Sequence, residues 1–273
     1  MAHSPSFLAI IPARSGSKRL KDKNIKPLCG KPLLAWSIES ALDCDYIDEV
    51  VVSTDSTLYA DIALSYGASV PFIRPDSLSK DTTTTFEVLE HCIHYYKEVL
   101  NKAFDYVVLL QPTSPLRQSW HIKEACEKIL SCNKDSLISI SPCEHSPLWC
   151  NTLGEDEDMS HFLADSILNV RSQDLPQFYR LNGVLFIAKT EVLLTYQTFF
   201  TPKSIAYKIE NIYSSDIDSA LDFDIATLLA NRLTGGGAEH KLISPYFPSF
   251  HLNLPSLPNF QSLLNSHTLA KVA

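Results

Sequence analysis

Short apolar runs alternate with segments of helical periodicity through most of the chain, and this alternation limits the possible folds more than any other feature. Residues 7–11 (FLAII) and 106–110 (YVVLL) are almost uninterrupted apolar runs, which is typical of strands buried on both faces of a parallel sheet. Between such runs, residues 33–42 and 57–66 place apolar side chains at helical spacing. The repeated units predict an α/β protein with a Rossmann-like, open, mixed but mostly parallel sheet.

The same reading assigns the remaining elements. The predicted strands are residues 7–11, 49–53, 69–73, 106–110, 136–141, 184–187 and 205–209, and the predicted helices are 33–42, 57–66, 84–100, 121–130 and 219–233. Pro142, Pro147 and an acidic run at 155–158 break the rhythm until about Asn182. The sequence therefore predicts one domain at residues 1–234, with an inserted segment at 142–182 and a Gly/Pro-rich tail at 235–273 that packs loosely or is partly disordered.

The balance of charge argues against a nucleic-acid-binding protein. The chain has 23 Lys and Arg residues against 31 Asp and Glu, a net charge of -8, whereas a duplex requires a concentrated basic surface. No stretch approaches the roughly 20 apolar residues of a membrane-spanning helix, and the first residues lack the pattern of a secretory signal. We therefore expect a cytoplasmic protein that binds neither nucleic acid nor membranes.

The cysteines also fit a reducing compartment. There are seven, and none forms a Cys-x-x-Cys pair. Cys143, His145 and Cys150 could suggest a zinc site, but no further ligands accompany them, so buried or incidental thiols are favoured.

A strongly basic loop follows the first predicted strand. Residues 12–24 contain five cations at the carboxyl end of a strand, where α/β sheets bind ligands and where small residues expose backbone N–H groups to phosphate. The spacing of a Walker A motif is absent, and Gly16 alone cannot form a dinucleotide fingerprint. The loop indicates a polyphosphate ligand, and the alternative is a solvated basic turn.

Further motifs occur in a fixed order along the chain. They are ARSGSK at 13–18, Lys-Asn at 23–24, Arg-Pro at 74–75, Asp-Thr at 81–82, LLQPTSPLR at 109–117, RSQDLP at 171–176 with Arg180 and Asn-Gly at 182–183, and DID at 216–218 with Leu-Asp at 221–222. In this order, from residue 7 to about 233, they resemble the N-acylneuraminate (sialic acid) cytidylyltransferases, also called CMP-sialic acid synthetases. Several motifs in one order are more specific than any single motif.

The resemblance implies a sheet of the nucleotide-diphospho-sugar transferase type, a small inserted dimerisation subdomain and a homodimer. It implies an enzyme that joins CTP to a nonulosonic acid, a nine-carbon 2-keto acid sugar, and releases pyrophosphate, for cell-surface glycan synthesis. The anomeric hydroxyl must attack the α-phosphorus in line with the departing pyrophosphate, so catalysis would depend on positioning and charge neutralisation.

By the same resemblance, the nucleotide residues lie in the basic loop and directly after the third predicted strand. Arg14 and Lys18 would be catalytic residues that hold the triphosphate, Lys18 at the α-phosphate. Lys23 and Asn24 would complete the CTP pocket, and Arg74 would lie on the base side. The other loop cations, Arg19 and Lys21, are expected to be surface charges.

Asp216 and Asp218 form the metal-binding end of the resemblance and are also catalytic candidates. On an extended segment, alternate residues face one side, and two carboxylates there suit Mg²⁺, or Mn²⁺, bridging the phosphates. The alternative is a capping role at the helix predicted for 219–233, which is favoured for Asp222 and Asp224. Asp55 is balanced between a site role and a cap of the helix at 57–66.

Five residues are candidates for contact with the sugar. Gln111 follows a buried strand, so its amide can face the sugar or nucleotide. Arg171 and Arg180 match family arginines whose planar guanidinium suits a carboxylate, although one could instead serve the dimer. Phe199 and Phe200 resemble an aromatic pair near the acyl group, while adjacent phenylalanines are more often core residues.

Two positions depart from the family pattern. Trp149 stands where the family often has a lysine supplied across the dimer, and Phe186 stands where it has a tyrosine. The loss of a charge and a hydroxyl favours a less polar sugar, such as a diacetamido sugar of the legionaminic or pseudaminic type.

Two other functions fit part of the sequence. Residues 216–218 could be the metal motif of a glycosyltransferase, but a diphosphate sugar needs less positive charge than the basic loop offers. The chain could also be a nucleotide-binding protein without catalytic activity.

Overall fold

A computed structural model describes residues 4–235 of the chain. The strands are β1 (Phe7–Pro12), β2 (Pro27–Leu28), β3 (Lys31–Pro32), β4 (Glu49–Ser53), β5 (Tyr106–Leu109), β6 (Ser136–Pro142), β7 (Tyr179–Lys189) and β8 (Ser204–Lys208). The α-helices are α1 (Leu33–Leu42), α2 (Thr57–Ser65), α3 (Thr85–His94), α4 (Ser119–Ser131), α5 (Thr190–Tyr196) and α6 (Ala220–Gly235). Strands β2 and β3 form a separate hairpin, and the other six form one sheet in the order β4-β1-β5-β7-β6-β8.

This sheet is mixed and mostly parallel, which confirms the predicted fold class. Strand β1 is parallel to β4 and β5, and β6 is parallel to β8. Strand β7 is antiparallel to both of its neighbours, β5 and β6. The carboxyl ends of β1, β4 and β5 therefore meet at one edge, which is where open α/β sheets bind ligands.

Both faces of the sheet are covered, and β1 shows why the first strand is so apolar. Its alternate residues Phe7, Ala9 and Ile11 pack with α1, α2 and α4 on one face. The intervening Leu8 and Ile10 pack with α3 and α5 on the other. Since neither face meets water, an unbroken apolar run is required.

Two predicted elements differ in the structure. The strand expected at residues 69–73 does not form, because only Ser69 pairs, with Val51, and Pro71 has no N–H to donate to a ladder. The helix expected at 84–100 is divided: α3 ends at His94, and Tyr95–Val99 forms a π-helical turn that buries Tyr96.

The connection between β6 and β7 is irregular. Residues 143–178 contain two short 3₁₀ turns, Pro147–Trp149 and Ser172–Asp174, and are mostly exposed. Strand β7 already begins at Tyr179, so it includes the last residues of the segment predicted at 142–182. The predicted tail at 235–273 lies outside the described residues except for Gly235 at the end of α6. Within residues 4–235, no helix has both the length and the apolar character needed to cross a bilayer.

Candidate active site

A cavity of about 480 Å³ opens at the carboxyl edge of β1, β4 and β5. Its walls are the basic loop, Arg74, residues 83–85 at the start of α3, residues 111–113 after β5, and Asp218. A cavity of about 530 Å³ lies at the amino edge, beside Tyr106 and Lys189. None of the predicted site residues lines this second cavity, so the carboxyl edge is the candidate site.

Hydrogen bonds that involve the backbone of the basic loop hold the loop in a defined path. The Ala13 N–H donates to the Ser53 carbonyl at 2.9 Å, and the Asn24 side chain donates to the Arg14 carbonyl at 3.0 Å. Asp55 accepts from both the N–H and the hydroxyl of Ser15, at 2.8 and 3.0 Å. These contacts tie the start of the loop to the end of β4.

Of the two alternatives considered for Asp55, the structure does not show the helix cap. Ser56, not Asp55, is the N-cap of α2 and accepts a hydrogen bond from the Tyr59 N–H. Asp55 instead fixes the loop through Ser15.

Four cations of the loop are paired with two acids. Arg14 Nη1 lies 2.7 Å from Asp81 Oδ1, and Lys18 pairs with the other oxygen of Asp81. Lys23 and Arg19 pair with Asp218 at 3.0 and 3.1 Å. These pairs place four positive groups of the loop beside the cavity.

Exposure distinguishes the cations of the loop. The Lys23 side chain is 12% exposed and also donates to the Ile217 carbonyl at 2.6 Å. The Lys18 side chain is 76% exposed, as is that of Arg19. Arg19, expected to be a surface charge, is exposed but lines the cavity and is paired with Asp218, whereas Lys21 is exposed and does not line it.

The acidic segment is held against the same edge. The buried Ile217 donates its N–H to the Thr113 carbonyl at 2.9 Å, which leaves Asp216 and Asp218 on either side of it. Partial desolvation raises the pKa of Asp216 above the ordinary value for aspartate, while the Thr113 side chain and the Lys23 charge act in the opposite direction. Asp218 lines the cavity and pairs with two cations of the basic loop, whereas Asp216 is not among the residues that line it.

Asp222 caps α6, as predicted. Its carboxylate accepts from the N–H and the hydroxyl of Ser219 at 2.7 and 2.8 Å, and from the Asp218 N–H at 3.1 Å. These hydrogen bonds lower the pKa of Asp222 and satisfy orphan donors at the helix start. Asp222 therefore has a structural role at the start of α6.

Arg74 lies in the cavity wall and is only 4% exposed. Its N–H donates to the Thr54 carbonyl at 2.7 Å, and its Nε donates to Ser79 at 3.2 Å. Desolvation lowers the pKa of Arg74, and the nearby charge of Asp55 partly offsets that effect. A buried guanidinium in this wall can hydrogen-bond a ligand that excludes water.

Gln111 lines the cavity and lies against Gly183. Gly183 has φ +70°, and a Cβ atom there would lie 2.6 Å from Gln111 Oε1. Asn182 accepts from Ser139 and from the Val184 N–H at a register shift between β6 and β7, which fixes the backbone on both sides of Gly183. The positive φ favours glycine here, and any Cβ atom would also displace the end of the Gln111 side chain.

Arg117 holds the backbone beneath Gln111 and Gly183, and the sequence analysis gives it no role beyond its place in the motif at 109–117. It is 2% exposed, and its guanidinium donates to the carbonyls of Val184 at 2.6 Å and Ser114 at 3.3 Å and to the Ser37 hydroxyl at 2.6 Å. A weaker contact of 3.4 Å reaches the Gln111 carbonyl. No carboxylate pairs with Arg117 among the described ion pairs, and burial lowers its pKa to about 9.

The other predicted sugar contacts lie outside the cavity wall. Phe199 is buried against Phe186, with ring centroids 5.3 Å apart, while Phe200 is exposed. Arg171 pairs with Asp174, and Arg180 pairs with Glu144 and donates to Ser214. Phe199 and Phe186 are thus packing residues in this structure, and a role of these arginines and Phe200 in binding sugar stays a prediction.

The donor chemistry of the acidic segment fits a magnesium ion. Mg²⁺ is commonly held by one or two carboxylates together with phosphate oxygens and water. Asp216 and Asp218 supply two carboxylates, and residues 4–235 hold no group of three or more His, Cys, Asp or Glu with metal-site geometry. The remaining ligands would have to come from a bound phosphate and from water.

Comparisons with known proteins show the family of this chain. Residues 8–223 match the family model described as cytidylyltransferase. The chain is 41% identical over 218 residues to "N-acylneuraminate cytidylyltransferase" of Streptococcus agalactiae serotype V, covering 79% of this chain and 51% of that protein. It is 36% identical over 224 residues to "CMP-N,N'-diacetyllegionaminic acid synthase" of Legionella pneumophila, covering 82% and 95%.

The chain spans about half the length of the streptococcal relatives that it matches. Among solved structures, the fold is similar to that of CMP:2-keto-3-deoxy-manno-octonic acid synthetase complexed with CTP, with a TM-score of 0.63, 16% identity, and coverage of 84% of this chain and 99% of that one. Because the family model matches most of the chain and relatives exceed 30% identity over most of it, the chain belongs to the cytidylyltransferase family.

Proposed function

We propose that this protein transfers CMP from CTP to the anomeric hydroxyl of a nonulosonic acid and releases pyrophosphate. The observation that carries the proposal is the cavity at the carboxyl edge of the sheet, where Arg14, Lys18 and Lys23 surround one opening beside Asp218. Five cations line this opening, Arg14, Lys18, Arg19, Lys23 and Arg74, and so many positive groups suit a nucleoside triphosphate better than a diphosphate sugar. Membership in the cytidylyltransferase family supports the same reaction.

In this proposal the residues of the chain position the triphosphate and neutralise its charge. Arg14 and Lys18 bind phosphate oxygens, Lys18 at the α-phosphate, where charge grows as the sugar hydroxyl attacks. Lys23 and Asn24 hold the end of the basic loop in place. Arg74, which is buried in the cavity wall, contacts the cytosine base. Donors fixed before the reaction need no reorganisation during it, which favours the transition state.

Asp216 and Asp218 would hold Mg²⁺ against the phosphates, and the ion would supply charge neutralisation there. Within the chain, Asp218 also pairs with Lys23 and Arg19. Replacement of both acids is the direct test of this part of the proposal.

We expect Asp216→Asn to raise the Mg²⁺ concentration needed for half-maximal activity at least about tenfold, because a carboxylate ligand is lost. The measurement is pyrophosphate release across a magnesium titration, with Asp218→Asn and the double variant for comparison. Asp224→Asn is a matched control, since Asp224 is exposed on α6, which follows the acidic segment, and carries no predicted metal role. An unchanged titration for the double variant would contradict the assignment.

The sugar is proposed to be a sialic-type acid, with legionaminic or pseudaminic acid as the alternative to N-acetylneuraminic acid. The Legionella relative is named for a diacetyllegionaminic product, which supports testing that class. The tyrosine-to-phenylalanine departure at Phe186 carries little weight here, because the partly buried Phe186 ring packs against Phe199.

The activity assay uses the purified full chain with CTP, Mg²⁺ and a panel of nonulosonic acids, with pyrophosphate as the readout. Release that requires one of these acids supports the proposal and identifies the substrate. Hydrolysis or transfer from a nucleotide sugar without release from CTP would instead indicate a glycosyltransferase. Silence with every acid, despite CTP binding, would indicate a nucleotide-binding protein without this activity.

A homodimer built through the inserted segment is part of the proposal. Leu148, Leu153, Met159 and Leu168 of this segment are exposed apolar side chains, and burial of such side chains in an interface is favourable. Sedimentation velocity tests it, and a monomer at micromolar concentration would contradict it.

A further inference from the structure

Asp81 forms ion pairs with Arg14 and Lys18, the two cations that are proposed to bind the triphosphate. One carboxylate oxygen accepts from Arg14 Nη1 at 2.7 Å, and the other pairs with Lys18 Nζ. No role was assigned to Asp81 from the sequence beyond its place in the Asp-Thr motif. The contact is unusual because a single acid neutralises both of the proposed phosphate-binding groups.

The fold does not require these pairs for its stability. The side chains of Lys18 and Asp81 are 76% and 43% exposed, and ion pairs this exposed contribute little to folding. Asp81 lies in the turn before α3, where the Thr83 N–H donates to the Lys80 carbonyl. The helix start itself is fixed separately by the capping box of Thr84 and Glu87.

Asp81 is charged at neutral pH. Its pKa lies below the ordinary value for aspartate, first because Lys18 donates a hydrogen bond to it and then because Arg14 does. A phosphate oxygen that binds Arg14 and Lys18 would therefore meet a carboxylate already on the same donors. Two like charges cannot share these donors without mutual repulsion.

We propose that Asp81 is an internal counter-ion that competes with phosphate for Arg14 and Lys18 and so weakens the hold of the site on polyphosphates. This inference rests on the proposed function. Its consequence is that Asp81 keeps the affinity for the released pyrophosphate low, which favours departure of the product. Removing the charge should strengthen pyrophosphate binding, whereas loss of an ordinary supporting contact would weaken it.

The test is isothermal titration calorimetry of the full chain with inorganic pyrophosphate at fixed Mg²⁺. Asp81→Asn should tighten the dissociation constant about tenfold, which corresponds to 1.4 kcal/mol. Asp76→Asn is the matched control, because Asp76 is exposed in the neighbouring turn and loses the same charge. Its affinity should equal that of the unmodified chain.

Equal or weaker binding by Asp81→Asn would overturn the inference and would mean that Asp81 only holds the two cations in place. Absence of binding by both proteins would also overturn the inference, because it requires Asp81→Asn to bind pyrophosphate. Because this readout needs no sugar and no turnover, it is separate from the activity assay. Tighter binding by the variant alongside a silent assay would support the counter-ion while contradicting the proposed transfer reaction.

Discussion

Replacing Lys18 with alanine will lower turnover with CTP by at least about a hundredfold while leaving the fold intact. Lys18 carries one of the charges at the opening of the cavity, and its side chain is 76% exposed, so its removal costs little packing. A cation at the α-phosphate contributes most when charge accumulates in the transition state. Turnover should therefore fall far more than the affinity for CTP.

The measurement is steady-state pyrophosphate release together with calorimetric CTP binding. Lys21→Ala is the matched control, because Lys21 is an exposed lysine of the same loop that does not line the cavity. The control should retain activity, and circular dichroism should show both variants folded. Turnover within a few-fold of normal for Lys18→Ala would exclude the catalytic role assigned to this lysine.

The sequence predicts best those helices and strands that have buried residues along most of their length. The predicted bounds at 33–42 and 49–53 match α1 and β4, because buried elements impose a strict periodicity. The first part of β7 is different, since Tyr179 and Leu181 are exposed and Arg180 is half-buried. Their side chains carry no buried pattern, so only the pairing with β6 defines that part of the strand.

The site was predictable to the extent that strand ends are predictable. The basic loop and Gln111 follow buried strands, so their meeting at one edge follows from the parallel order of those strands. Which acids pair with which cations could not be read from the sequence. Asp81 is 67 residues from its partner Arg14, and Asp55 supports Ser15 across 40 residues.

Phe199 shows that the sequence also does not predict which of two adjacent phenylalanines is buried. Adjacent phenylalanines have equal hydrophobicity, yet one is buried against Phe186 and the other is exposed. The difference arises where Ser136 and Ser204 hydrogen-bond the Phe199 carbonyl at 2.6 and 3.1 Å. Such contacts between distant segments fix the direction of a side chain but leave no local periodicity.

Arg117→Met should produce the largest loss of stability, about 2–4 kcal/mol in the free energy of unfolding. Methionine fills a similar volume, but the carbonyls of Ser114 and Val184 lose their donor, and an unsatisfied buried acceptor costs about 1–3 kcal/mol. Relief from burying an unpaired charge offsets part of this cost. For a domain of this size, we expect the melting temperature to fall by roughly 5–15 °C.

Denaturant unfolding and thermal melts measure this effect, with Arg232→Met as the control. Arg232 is exposed on α6, so its replacement should change stability by less than about 0.5 kcal/mol. Arg117→Lys should be intermediate, because an ammonium group keeps the charge but cannot reach acceptors on three separate segments with the guanidinium geometry. If Arg117→Met were as stable as the control variant, the hydrogen bonds from Arg117 would not be what holds residues 111–117 against β7.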